Sequence, residues 1–126
     1  MPEYRFVSRE VLSQLHADSI ERFGGTLGVG DEGLILSALG AAENTHYFGN
    51  GDLFDIAGAY AFHIAQAQAF LDGNKRTAVA AALLFLRGNG VSGRPDQARL
   101  YDAMIAIAER RLDKPGLAAL FREFFA

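Results

Sequence analysis

Residues that favour helices outnumber those that favour strands so heavily that an all-α fold is the simplest reading of this chain. It holds 21 Ala and 15 Leu, against 14 Val, Ile and Thr together. Ala and Leu lose little conformational freedom in a helix, whereas β-branched side chains pack best on a pleated sheet. Half of the residues are hydrophobic, which is ample for a packed core and too many for a disordered chain. A length of 126 residues suits one domain spanning 1–126.

The charge balance narrows the function. Lys and Arg number 12 and Asp and Glu 15, a net charge of −3, whereas domains that coat nucleic acid are usually clearly basic. No direct nucleic-acid partner is therefore expected. The absence of cysteine removes disulfide frameworks, thiolate metal sites and cysteine nucleophiles. No apolar run is long enough for a membrane span, and Met1-Pro2-Glu3-Tyr4-Arg5 lacks the basic-then-apolar form of a signal peptide. A cytoplasmic location without a membrane partner is the expectation.

Turn and cap residues divide the chain into about six helices. Ser8 is placed to cap the first, with Val7 and Leu12 as a hydrophobic staple, and Gly24-Gly25 stops it. Asp31 starts a second helix that should run to about Ala42. Residues 43–51 show no helical period and read as an irregular loop or a short hairpin near 44–51. Asp52, with Asp55 at the capping-box position, opens a long helix to about Phe70. A fourth helix, about 74–87, is apolar nearly all round from Thr77 to Leu86, which predicts a central element enclosed by the others. A fifth spans roughly Asp96 to Arg111, with Leu100, Met104 and Ile107 on one stripe. Asp113 caps a sixth with Pro115 in its first turn.

One segment breaks these local rules. Lys75 and Arg76 fall in the first turn of the fourth helix, where the macrodipole already presents positive charge. The same turn offers free backbone N–H groups beside Gly73, a residue that lets a ligand approach closely. Free amides, a helix N-terminus and two cations describe a phosphate site, and Asp72 adds a carboxylate suited to Mg²⁺ that bridges phosphate oxygens. The plainer reading is that Asp72 or Asn74 caps the helix while the two cations reach solvent.

The stretch Ala69-Phe70-Leu71-Asp72-Gly73-Asn74-Lys75-Arg76-Thr77-Ala78, followed by 82–86 and Gly88-Asn89-Gly90, resembles the Fic/Doc family. Within that family it is most similar to the death-on-curing toxins of toxin–antitoxin modules. The resemblance extends upstream through Ile20-Glu21-Arg22-Phe23-Gly24-Gly25, Asp31-Glu32-Gly33-Leu34 and Asp52-Leu53-Phe54, and so covers most of the chain. It implies an all-α bundle that binds ATP and Mg, with Phe70, Gly73, Asn74, Lys75 and Arg76 at the nucleotide and Asp72 at the metal. Asp72, Lys75 and Arg76 would also serve catalysis. The Doc pattern reads H-x-F-x-D-(G/A)-N-K-R, whereas the adenylylating Fic enzymes have Gly where this chain has Lys75. Resemblance thus favours a protein kinase that modifies a threonine of elongation factor Tu and arrests translation.

The departure from the pattern is Gln68, which stands where the family has its catalytic His. That His takes the proton from the attacking hydroxyl, and a neutral amide has no titratable acceptor for it. Positions 68 and 72 face the same way if the helix persists to Asp72. Gln68 is either a natural loss or an inactivating change, and the intact motif around it favours the latter. His63, about 140° from position 68 around a helix, reads as a core or surface histidine bonded to a neighbour, and His16 as structural. His46, Tyr47 and Phe48 fall where family members carry a flap. The sequence thus describes a weakened Doc-type kinase, with a Fic-type adenylyltransferase or an inert nucleotide- or antitoxin-binding relative as alternatives. No internal Ser/Thr-x-x-x-Glu-Gly inhibitory motif is found, so the resemblance implies an antitoxin acting in trans, with Phe6, Phe48 and Phe125 as candidates for its groove.

Overall fold

A computed structural model describes residues 3–125, and among them the chain forms six α-helices. They are α1 (Arg9–Phe23), α2 (Glu32–Tyr47), α3 (Leu53–Ala67), α4 (Asn74–Gly88), α5 (Gln97–Ala108) and α6 (Lys114–Phe124). Five begin with a side-chain oxygen accepting from an otherwise unpaired amide, four of them at the cap that the sequence indicates and α5 at Asp96, which stands before the helix and not in it. Ser8 accepts from the Val11 N–H, Asp31 from Leu34, Asp96 from Arg99 and Asp113 from Gly116. At α3 the capping box is complete, Asp52 accepting from Phe54 and Asp55 while Asp55 accepts from the Asp52 N–H. The staple residues Val7 and Leu12 are both buried.

Four expectations about the elements need correction, the briefest being that the fifth helix ends at Ala108 and not at Arg111. The second helix does not stop at Ala42, and no hairpin forms at 44–51: α2 continues to Tyr47 with Phe48 as its C-cap. Its buried positions are Ile35, Ala38, Leu39, Ala42 and His46, an unbroken helical stripe in which the last member is a histidine. A buried histidine at an apolar position masks the helical period of the final turn. The third helix ends at Ala67, three residues short of Phe70, and Gln68 takes left-handed angles (φ 47°, ψ 42°) as its C-cap. The enclosed element is α3, which packs on α2, α4, α5 and α6. Much of α4 is buried, but Leu84 is 40% exposed, because small Ala side chains seat one stripe closely on α3 and leave the far side to solvent. The close approach of α3 to α6 rests on Gly58, where a Cβ would stand 3.1 Å from the Ala118 nitrogen.

The chain before α1 is fastened to this core by Tyr60. Its hydroxyl is fully buried and accepts from the Val7 N–H at 2.9 Å, and burial pushes the phenol well above its ordinary pKa. Tyr60→Phe should therefore lower stability by about 1–3 kcal/mol, the effect of leaving a buried amide without a partner. Urea denaturation measures it, and a variant as stable as the parent would remove this bond from the fold's support.

Candidate functional site

The segment between α3 and α4 is tied to α1, to the loop between α1 and α2, and to the first residue of α4. Its first part forms an isolated antiparallel bridge between Val29 and Phe70. The Ala69 carbonyl accepts from the Gly30 and Asp31 amides at 2.7 and 3.1 Å, and the Leu71 N–H donates to the Gly28 carbonyl at 3.1 Å. With the neighbours making these bonds, the backbone groups of Phe70 face the opposite way. There Asn74 meets both of them. Its side-chain oxygen accepts from the Phe70 N–H at 3.0 Å and its amide nitrogen donates to the Phe70 carbonyl at 2.9 Å. Asn74 thus stands in for a second strand edge.

Asp72 is tied at both ends. One carboxylate oxygen accepts from the Thr26 N–H at 2.7 Å, and its carbonyl accepts from His16 Nε2 at 2.7 Å. The His16 ring also stacks on Phe70, with centroids 3.9 Å apart and planes 15° from parallel. Sequence alone gives His16 only a structural role. The signal for it was a histidine and a serine, His16 and Ser19, on the buried stripe of α1 that starts at Leu12. Buried polar groups need partners, and both find theirs in the motif.

Arg76 reaches back to α1. Its Nε donates to Ser19 Oγ at 3.0 Å, a terminal nitrogen donates to the Gly24 carbonyl at 2.9 Å, and the guanidinium lies 5.2 Å from the Phe23 ring centroid. The negative end of the α1 dipole therefore compensates the charge that the start of α4 disfavours. Lys75 has no such relief: it is exposed and makes no hydrogen bond or ion pair among the described residues.

The start of α4 differs from the other five. Its N-cap is Gly73 (φ 75°, ψ 18°), with no side-chain hydrogen bond to the helix. The capping part of the plainer reading fails, since Asp72 is engaged with Thr26 and His16 and Asn74 with Phe70, while Lys75 does reach solvent. The amides of Gly73, Asn74, Lys75 and Arg76 have no partner among the described residues, and the first bond of the helix runs from the Thr77 N–H to the Gly73 carbonyl. Side chains are excluded at this corner, because a Cβ on Gly73 would meet Ile20 Cδ1 at 3.3 Å in a left-handed conformation. Four amides without a partner among the described residues thus stand at one helix start, with the exposed Lys75 in the same turn, an arrangement suited to phosphate. For a metal the chain offers less. No group of three or more His, Cys, Asp or Glu able to hold a metal occurs among the described residues. The second carboxylate oxygen of Asp72 makes no hydrogen bond among the described residues, and Asp72 would suit a Mg²⁺ that accompanies phosphate.

The remaining candidates fall elsewhere. Gln68 is exposed, but because α3 has ended its side chain does not share a helical face with Asp72. His63 accepts from the Lys114 ammonium at 3.3 Å, and burial together with that charge lowers its pKa. His46 is not in a flap: it is buried at the end of α2, its ring 4.9 Å from Tyr4, while Tyr47 and Phe48 are exposed. Phe6 and Phe125 are half-buried against the core. A cleft of about 510 Å³ is lined by Phe62, Gln66, Arg110, Arg111, Leu112 and Asp113 and shares no residue with the motif.

The pattern of the Fic/DOC family matches residues 6–86, which contain α1 to α3, the motif and nearly all of α4. The chain belongs to the Fic/DOC family. It is similar to the protein kinase doc of Escherichia phage P1, with 34% identity over 122 residues and 96% of each chain covered. It is also similar to the toxin Doc of Mycolicibacterium smegmatis, at 40% identity over 108 residues, covering 82% of this chain and 83% of that one. No helix among the described residues is long and apolar enough to cross a membrane.

Proposed function

We propose that this chain is a Doc-type toxin of a toxin–antitoxin module, built to pass a phosphoryl group to a threonine of elongation factor Tu and held inactive or weak by Gln68. The observation that carries this reading is the uncapped start of α4, where four amides have no partner among the described residues and the same turn carries Lys75, which makes no hydrogen bond or ion pair among them. ATP supplies the transferable phosphoryl group there. The amides of residues 73–76 and the Lys75 ammonium bind and orient phosphate oxygens, each charge-assisted contact being stronger than a neutral one. Asp72 offers its free oxygen to Mg²⁺. Arg76, committed to α1, fixes the distance between the two helices, and Asn74, committed to Phe70, fixes the loop. Both are assigned to the site's scaffold in addition to their nearness to nucleotide, and Phe70 contributes through its place between His16 and Asn74.

Gln68 is the group assigned to the target hydroxyl. It can hold that hydroxyl by a hydrogen bond but cannot take its proton. A binding-only relative is the second reading, and Gln68 itself is the observation in its favour. Similarity to Doc toxins supports an antitoxin that inhibits in trans in the cytoplasm.

Lys75→Ala should weaken ATP binding several-fold while leaving the melting temperature of the free protein unchanged or slightly higher, since a charge unfavourable to the helix start is removed. Calorimetric titration with ATP and Mg²⁺ checks this, and equal affinities would take Lys75 out of the site. The reaction itself is tested with ATP labelled on the α or the terminal phosphate, given to the Gln68→His form with elongation factor Tu. Transfer of the terminal label is expected. Transfer of the α label would make the chain an adenylyltransferase, and no transfer would leave the binding-only reading.

A further inference from the structure

We propose that His16 is a positioning residue that sets the phosphate cradle, by holding the Asp72–Gly73 peptide in the one orientation that turns the Gly73 N–H towards a bound anion. This rests on the reading of the α4 start as a phosphate site.

His16 is 3% exposed, in the middle of α1, and its Nε2 lies 2.7 Å from the Asp72 carbonyl oxygen. A carbonyl can only accept, so Nε2 carries the proton. The Asp72–Gly73 bond is not cis, and across a trans peptide the C=O and N–H point in opposite directions. Pinning the carbonyl onto buried His16 therefore aims the Gly73 N–H away from α1, and no group among the described residues takes it up. Gly73 is left-handed and Asn74, which follows it, is helical. That alternation brings successive N–H groups onto one concave face. Turning the Asp72–Gly73 plane over would withdraw the first donor and leave a carbonyl oxygen facing the anion instead.

A second contact fixes the ring that does the holding. His16 stacks on Phe70 at 3.9 Å, and Phe70 is clamped by Asn74 on its backbone. Gly73 cannot resist a flip by itself, because glycine tolerates both signs of φ. The orientation of this peptide thus depends on a side chain in another helix, 56 residues earlier in the chain.

The test compares His16→Leu, which keeps apolar volume and the burial but loses the donor, with His16→Gln, whose side-chain amide can place an N–H near the same point. With inorganic phosphate and with ATP as probes, His16→Leu should bind at least about ten-fold more weakly than the parent, the scale of one lost charge-assisted hydrogen bond. His16→Gln should recover most of the affinity. Leu binding as well as the parent, or Gln failing as badly as Leu, would overturn the proposal. A readout free of ligand separates this from the site assignment. In nitrogen-labelled protein, the imidazole signals of His16 should report the Nε2–H tautomer, and the Gly73 amide should shift in His16→Leu and not in His16→Gln. If the parent binds neither probe, the phosphate-site reading falls. In that case a Gly73 amide unmoved in His16→Leu, or an Nδ1–H tautomer, would still overturn the role of His16, and the expected spectra would still support it.

Discussion

Changing Gln68 to histidine should raise phosphoryl transfer by about 10²–10⁴-fold, the usual contribution of a positioned general base, with ATP affinity nearly unchanged. Imidazole, with an ordinary pKa of about 6.5, accepts a proton near neutral pH, whereas the glutamine amide does not. The local backbone favours the exchange. Position 68 is left-handed and exposed, and histidine enters that region more readily than most residues. Because the base acts on the target hydroxyl and not on the nucleotide, the gain belongs in the catalytic rate. Induced expression of Gln68→His should arrest bacterial growth while the present sequence is tolerated. Full activity of the present sequence would show that the base is not at position 68.

Asn74→Ala should have the largest structural effect of any single change in the motif. It strips both backbone partners from Phe70, and leaving two part-buried groups unpaired should lower stability by roughly 2–4 kcal/mol. Phosphate affinity should fall with it, because the loop that Asn74 clamps carries Asp72 and Gly73. Asn74→Asp separates the parts: the carboxylate still accepts from the Phe70 N–H but cannot donate to its carbonyl, so an intermediate loss is expected. Chemical denaturation of the three proteins gives the order. Asn74→Ala with parental stability would mean that its bonds to Phe70 add nothing.

Much of this was legible from residue order. Caps at Ser8, Asp31, Asp52 and Asp113 are local events, a side chain reaching an amide two or three residues away, and their spacing states them. The motif was legible for a related reason, since cations at a helix start oppose the dipole and so ask for a compensating partner. What residue order did not give was the partner. For Arg76 it is the end of α1, more than 50 residues distant, and for His16 it is the Asp72 carbonyl. Both are tertiary contacts with no sequence period. The same limit explains α2, where burial against Tyr4 and Phe6 let a histidine act as an apolar position. It explains Gln68 too: a left-handed C-cap is usually marked by Gly or Asn, and glutamine gives no such notice.

The assignment of phosphate to the start of α4 is tested most directly by following every backbone amide of nitrogen-labelled protein during titration with ATP and Mg²⁺. The largest shifts should fall on Gly73, Asn74, Lys75 and Arg76, with smaller ones at Thr26 and Gly24, whose backbones contact Asp72 and Arg76. Shifts concentrated instead at Phe62, Gln66 and 110–112, around the cleft beside α3 and α5, or no shifts at millimolar nucleotide, would contradict it.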